Sequence, residues 1–381
     1  VEAENGAGQG VSKATVIYNG DALWNVAGGA FPGAMYEGRL GFIFDYDLEQ
    51  ALGWRGATAH LSVHALHGSG ISGDLVQNLM TVSSLEAVAT IRLFNLWIEQ
   101  QIGHGTTLRI GQFTAGQEFM ISRTANLFVN STFGWPASFA ADLPSGGPSF
   151  PLATPGVRIS MSPDPSLTLL AAVFAGDPAG KGGGDPQTRD MYGFNSFKVA
   201  GGTFFITELQ QMIGSGSSAL TLKLGAWRHS ASFPDLQPAH PTPHHGNSTA
   251  YAIVDAPLSL PGPRSLHAFV RASVMPSDRN RINQYADAGL NLSAPFSSRP
   301  DDTFGLAIAT AHLQADPAQG APKGGRETTF EATYQLQLNQ QSYLQADLQY
   351  VRDPNGGAPT ATTGRPAANA LLLGMRVSMK F

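Results

Sequence analysis

Cysteine is absent from the 381 residues, so disulfides, zinc ribbons and thiol chemistry are excluded. Charge is scarce: Asp, Glu, Lys and Arg make up 13% of the chain, against about 25% in an average soluble domain. A basic excess is missing too. The net charge is −5, which lacks the footprint of a nucleic-acid binder, so no nucleic-acid partner is expected. No apolar run reaches the roughly 18 residues of a transmembrane helix. A basic-then-apolar leader is also missing, and Val1-Glu2-Ala3-Glu4 reads as a mature amino terminus after signal-peptide removal. What is present is glycine (44) and proline (25), with Ser, Thr, Asn and Gln where a soluble protein carries Lys and Glu. That composition suits many strands and turns and opposes long helices.

The final residues alternate. Leu371, Leu373, Met375, Val377, Met379 and Phe381 are apolar, and Gly374, Arg376, Ser378 and Lys380 lie between them. Period two is that of a strand with one apolar and one wet face. Phe330, Ala332, Tyr334, Leu336 and Leu338 repeat it against Glu331, Thr333, Gln335 and Gln337. Leu344, Ala346, Leu348 and Tyr350 do so against Gln345, Asp347 and Gln349. In all, about 16 such segments are predicted: 14–21, 35–45, 54–64, 91–101, 107–113, 155–161, 167–174, 201–210, 218–227, 249–256, 265–275, 282–292, 302–312, 328–338, 342–352 and 370–381. Most approach the 9–11 residues of a tilted membrane strand.

A soluble sandwich also alternates, so the connections decide. Long ones are expected at 22–34, 65–90, 114–154, 175–200, 229–248, 313–327 and 353–369. Short ones alternate with them, for example at 102–106 and 339–341, and one hairpin in the long series, 276–281, is short. Short periplasmic turns opposite long external loops mark a transmembrane barrel. The expected fold is therefore all-β: one antiparallel β-barrel domain over 1–381, with 1–13 as a periplasmic amino-terminal segment.

An ordered set of pieces resembles the carbohydrate-selective porin family (OprB type) of Gram-negative outer membranes. They include Leu93-Phe94-Asn95-Leu96-Trp97-Ile98-Glu99-Gln100, Leu108-Arg109-Ile110-Gly111-Gln112-Phe113, and Leu127-Phe128-Val129-Asn130-Ser131-Thr132-Phe133-Gly134-Trp135-Pro136. Pro155-Gly156-Val157-Arg158, Val173-Phe174-Ala175-Gly176-Asp177-Pro178, Pro276-Ser277-Asp278-Arg279-Asn280 and the Gly374-Met375-Arg376 ending follow in order. The likeness spans nearly the whole chain. One departure is Ala256 after Asp255, where family members carry Asp-Gln. The resemblance implies a 16-stranded outer-membrane barrel passing sugars without energy input. Its partners would be carbohydrate solutes, membrane lipid and lipopolysaccharide, and porins often form homotrimers.

A sugar channel wants aromatic platforms interleaved with both charge signs, because sugars offer one apolar face and many hydroxyls. Alternation places Glu37, Arg39, Trp97, Glu99, Arg109, Arg158, Glu208 and Arg271 on the lumen face, with His60, His64, Asn95, Glu331, Gln335, Asp347, Gln349 and Arg376. For any one of these, ordinary wall lining is the competing interpretation. The longest connection, 114–154, carries Glu118, Arg123, Asn126 and Trp135 among apolar residues. Such a run makes sense if the segment folds inward as a constriction, with Trp135 or Trp97 stacking on the sugar. The connection 65–90 is expected to add a short helix.

No cofactor or metal is expected. Gly68-Ser69-Gly70-Ile71-Ser72-Gly73 matches the dinucleotide glycine pattern but lacks its βαβ context. His240, His244 and His245 sit in a proline-rich stretch without carboxylate geometry. Asp177, Asp185 and Asp190 lack calcium-loop spacing. Beside the sugar channel stand a general small-solute porin and, from another class, a barrel enzyme or adhesin.

Overall fold

Period-two alternation leads to sheet, and in the computed structural model the sheet closes. The structure describes residues 11–194, 201–236, 242–258, 260, 264–321, 323–360 and 362–381. It contains 16 antiparallel strands. They are β1 (Ser12–Gly29), β2 (Gly33–Asp47), β3 (Ala57–Gly68), β4 (Thr90–Gly103), β5 (Thr106–Phe113), β6 (Thr154–Asp164), β7 (Leu167–Ala175) and β8 (Thr203–Ile213). Then come β9 (Leu220–Phe233), β10 (His244–Leu258), β11 (Ser265–Val274), β12 (Ile282–Ser293), β13 (Thr303–Leu313), β14 (Gly325–Asn339), β15 (Ser342–Arg352) and β16 (Ala368–Lys380).

Every strand pairs with its chain neighbours, and β1 pairs with β16. A bilayer requires this closure, because an open edge would leave N–H and C=O groups unpaired in hydrocarbon. At the seam Asp21 lies opposite Arg376, and Arg376 Nε donates to Asp21 Oδ1 at 2.8 Å. The even strand count brings both ends of the barrel sheet to the same rim, that of the short turns.

Alternation sorts side chains as expected. Phe330, Leu348 and Leu373 are 44%, 42% and 46% exposed on the outer face, an apolar band suited to lipid. Glu331, Asp347 and Arg376 point inward. They were expected to meet water, yet all three are buried. The reason is that connecting segments fill much of the lumen: Glu331 accepts from inserted backbone, Arg376 donates to Asp21 and to Ser84 of an inserted stretch, and Asp347 accepts from Gln349.

Two further expectations are corrected. No long connection occupies 22–34: β1 runs on to Gly29, with Leu23 and Asn25 inward and Trp24 and Val26 outward, and β2 begins at Gly33. The strand expected over 14–21 continues past Gly20-Asp21, pairing with β16 on through Asn25. The helix expected in 65–90 is only one π-type turn, Ser72–Val76.

Candidate functional site in the barrel lumen

The segment between β5 and β6 lies inside the barrel. Its Ala115, Phe119, Met120, Phe139 and Leu143 pack against Phe113, Phe174, Phe204, Ile206, Trp227 and Tyr251 of the wall. Farther round, Ala125, Phe128, Phe133 and Ala137 pack on Phe269, Tyr285, Ala309 and Ala311. An aromatic inner wall on these strands is what lets an apolar segment dock where a wide pore would hold water.

Inserted irregular backbone must still satisfy its own polar groups. Wall side chains do that. Glu208 accepts from Met120 N at 2.8 Å, and Lys223 donates to Ile121 O at 2.8 Å. Ser122 Oγ donates to Asp255 at 2.5 Å, and Asn291 donates to Thr124 O at 2.7 Å. Gln345 donates to Leu127 O at 2.7 Å, and Glu331 accepts from Val129 N and Asn130 N at 2.6 and 3.0 Å. Arg271 donates to the carbonyls of Met120, Thr132 and Gly134 at 2.9–3.1 Å. At the outer rim Asp142 accepts from Arg281 N and Ile282 N at 2.6 and 3.1 Å. Burial pushes the Asp142 carboxyl well above its ordinary value, against the pull of those two donors.

A second inserted stretch, between β3 and β4, packs Ile71, Val76 and Val82 on Leu23, Val351, Ala370 and Leu372. Glu327 accepts from Leu79 N and Met80 N, and Gln349 donates to Val82 O at 2.9 Å. Glu86 of this stretch receives Ser72 N at 3.2 Å, and burial raises its pKa.

Between the two stretches and the β1–β4 wall remains a cavity of about 530 Å³. Its lining mixes Asn19, Arg39, His64 and Ser62 of the wall with Ser83, Glu86, Asn126 and Trp135 of the insertions. A volume in the range of small-molecule sites, with aromatics and both charge signs, suits a small polar solute.

Near the short turn joining β4 to β5, two arginines and two glutamates close a ring. Arg109 bonds Glu99 at 3.0 Å and Glu118 at 2.6 Å, while Arg158 bonds Glu99 at 2.5 Å and Glu118 at 2.6 Å. Three members are wall residues and Glu118 comes from the inserted segment. Trp97 backs the ring: the Arg109 guanidinium lies 3.6 Å over its indole, and His60 stacks on it at 4.8 Å. Trp97 can lie flat because its cross-strand partner is Gly111 (φ +145°), where a Cβ would fall 2.8 Å from Trp97 Cβ.

Of the residues singled out from sequence, Arg39, Asn126 and Trp135 line the cavity. Glu99, Arg109, Glu118 and Arg158 form the ring. Trp97 does not offer the open stacking face expected of it, being 9% exposed beneath Arg109 and His60. Glu208 and Arg271 are buried anchors of the inserted segment, and Glu37 is buried in the wall; none of the three lines the cavity. Arg123 is exposed and lies outside the cavity lining. His240 falls outside the described residues, while His244 pairs with Asp235 at 2.9 Å.

Sequence reasoning missed Phe94 and Phe150, which face the cavity together. Phe94 escapes a period-two pattern because the β3–β4 register shifts there: Ser62 pairs with Asn95 and Val63 with Leu93. The extra residue is a β-bulge, which turns Phe94 inward beside Asn95. Lys223 and Asp255 were missed as anchors, since nothing local marks a residue that bonds backbone more than 100 positions away.

Comparison with known proteins agrees with this geometry. Residues 32–381 match the family model described as carbohydrate-selective porin, OprB family. The chain is 23% identical to Porin B of Pseudomonas aeruginosa over 96% of this chain and 86% of that protein. The high-pH structure of Pseudomonas putida OprB superposes with TM-score 0.83 at 19% identity, covering 97% of this chain and 94% of that one. The low-pH structure of the same protein superposes with TM-score 0.61 at 15% identity, covering 97% and 92%. With a closed 16-strand barrel, a lumen narrowed by inserted segments and a family match over nearly its whole length, the chain belongs to the OprB family of carbohydrate-selective porins of the outer membrane.

Proposed function

We propose that sugars cross this barrel by the cavity beside β1–β4, and that segment 114–154 is the constriction that selects them. The observation that carries the reading is the cavity lining, where Arg39, Glu86, Asn126 and Trp135 combine both charge signs with an aromatic ring; outside that lining, the Arg109–Glu99–Arg158–Glu118 ring joins wall to insertion with two positive and two negative groups. Balanced charge favours neutral solutes rich in hydroxyls, whereas a pore lined by one sign selects ions. Trp135, at the cavity, supplies an apolar platform for a pyranose face. Binding of this kind is weak, roughly millimolar or about 4 kcal/mol, as flux requires.

Ion current through single barrels in a planar bilayer tests this. Glucose is expected to reduce the current reversibly. Deleting the middle of 114–154 is expected to raise conductance and remove the block. Unchanged conductance after deletion places the constriction elsewhere. A wild type indifferent to every sugar returns the protein to a general small-solute porin. Homotrimer formation belongs to the same proposal and is read from native mass in detergent.

A further inference from the structure

Four residues on one side of the cavity form a cluster that the ring and Trp135 do not use. Phe94 and Phe150 meet edge to face, with centroids 5.9 Å apart. His64 stacks on Phe94 at 4.4 Å. The Arg39 guanidinium lies over the Phe150 ring at 5.5 Å. All four line the cavity. Three come from the wall strands β2, β3 and β4, and Phe150 comes from the inserted segment.

We propose that Phe150, backed by Phe94 and His64 and flanked by Arg39, is a sugar-stacking subsite that favours ring-closed pyranoses over open-chain polyols. This rests on the carbohydrate reading above and deepens it. Three points carry it. First, the bulge at Phe94 spends an extra residue to turn an aromatic side chain into a polar lumen, and Phe94 is then buried behind Phe150. Phe150 itself is only partly buried and lines the cavity.

Second, His64 is buried and stacks on Phe94 at 4.4 Å, which fixes the aromatic backing of Phe150. Third, the Arg39 guanidinium, over part of the Phe150 ring at 5.5 Å, brings N–H donors to the same part of the cavity, matched to hydroxyls at a sugar's edge. Trp97 cannot play this part, because Arg109 and His60 cover it.

An aromatic face recognises the rigid C–H face of a pyranose. Sorbitol carries a similar set of hydroxyls on an open chain and has no such face. The platform therefore separates the two, whereas hydroxyl-binding groups alone do not.

The test measures current block by glucose and by sorbitol on the full chain. The variants are Phe150→Leu, Phe150→Tyr and Arg39→Gln, each checked for heat-modifiable barrel formation. Wild type is expected to bind glucose more tightly than sorbitol. Phe150→Leu keeps apolar volume without a flat ring, and it should weaken glucose block roughly threefold to tenfold, the size of an aromatic increment. Sorbitol block should change little, so the preference collapses. Phe150→Tyr should retain it. Arg39→Gln should weaken block by both solutes. A glucose preference that survives Phe150→Leu overturns the subsite and leaves the carbohydrate reading standing. A wild type blocked equally by both solutes also overturns the subsite. A wild type blocked by neither overturns both readings.

Discussion

Arg271 on β11 faces Asp287 on β12 as a direct cross-strand pair, and neither side chain is exposed at all. Arg271 Nε donates to both carboxylate oxygens at 3.0 and 3.1 Å, and the rest of the guanidinium holds three carbonyls of the inserted segment. One buried ion pair thus ties the wall to the segment proposed to narrow the pore.

Arg271→Ala should therefore unseat that segment. It leaves Asp287 buried without its partner, a loss of about 3–5 kcal/mol for a pair of this kind. The expected result is a closed barrel with higher conductance and new protease sites within 114–154. A variant with wild-type conductance and wild-type protease resistance would show that the apolar contacts alone hold the segment.

Glu118→Gln should change selectivity. The ring then has two positive groups and one negative, so its net charge rises by one. The reversal potential in a salt gradient should shift toward anion selectivity. Two charge-assisted bonds are weakened as well, each contributing about 1.5–3 kcal/mol to seating the segment. An unshifted potential would place the ring away from the ion path.

Leu348→Arg should impair assembly. Leu348 is 42% exposed on the outer face, and an arginine at the bilayer midplane costs about 2–4 kcal/mol. Gln349→Ala, on the inner face one residue away, should leave membrane insertion intact but loosen Asn130 and Val82, which it bonds at 3.0 and 2.9 Å. Equal assembly defects in the two variants would contradict the facing.

Asp142 gives a pH dependence with a definite sign. Its folded pKa lies above the ordinary 3.8 because burial penalises the charged form. Its stabilising contribution is therefore full below that ordinary value and is lost as pH rises through the raised one. The temperature at which the barrel changes gel mobility should fall as pH rises across that window. Asp142→Asn should flatten the curve, since an amide does not ionise there. An Asn variant with the wild-type slope would assign the dependence to another group, with partly buried Glu86 next in line.

Strand number, facing and closure were legible in the chain because they are local: period two needs only neighbouring residues, and a bilayer enforces it on every strand. The 16 segments correspond one for one to the 16 strands. The inward turn of 114–154 was also suggested locally, by Phe and Trp in a connection that water would otherwise surround. What sequence could not give was which polar lumen groups remain open. Glu208, Arg271 and Glu331 read as pore lining and are spent on backbone of the inserted segment. Trp97 reads as a platform and is covered by Arg109 and His60. Phe94 is out of phase with the lumen residues Asn95, Trp97 and Glu99, and one register shift turns it to the cavity. Those outcomes depend on contacts between residues up to some 200 positions apart. Only closure of the barrel around its own loops brings them together, so tertiary structure alone decides where the pore is.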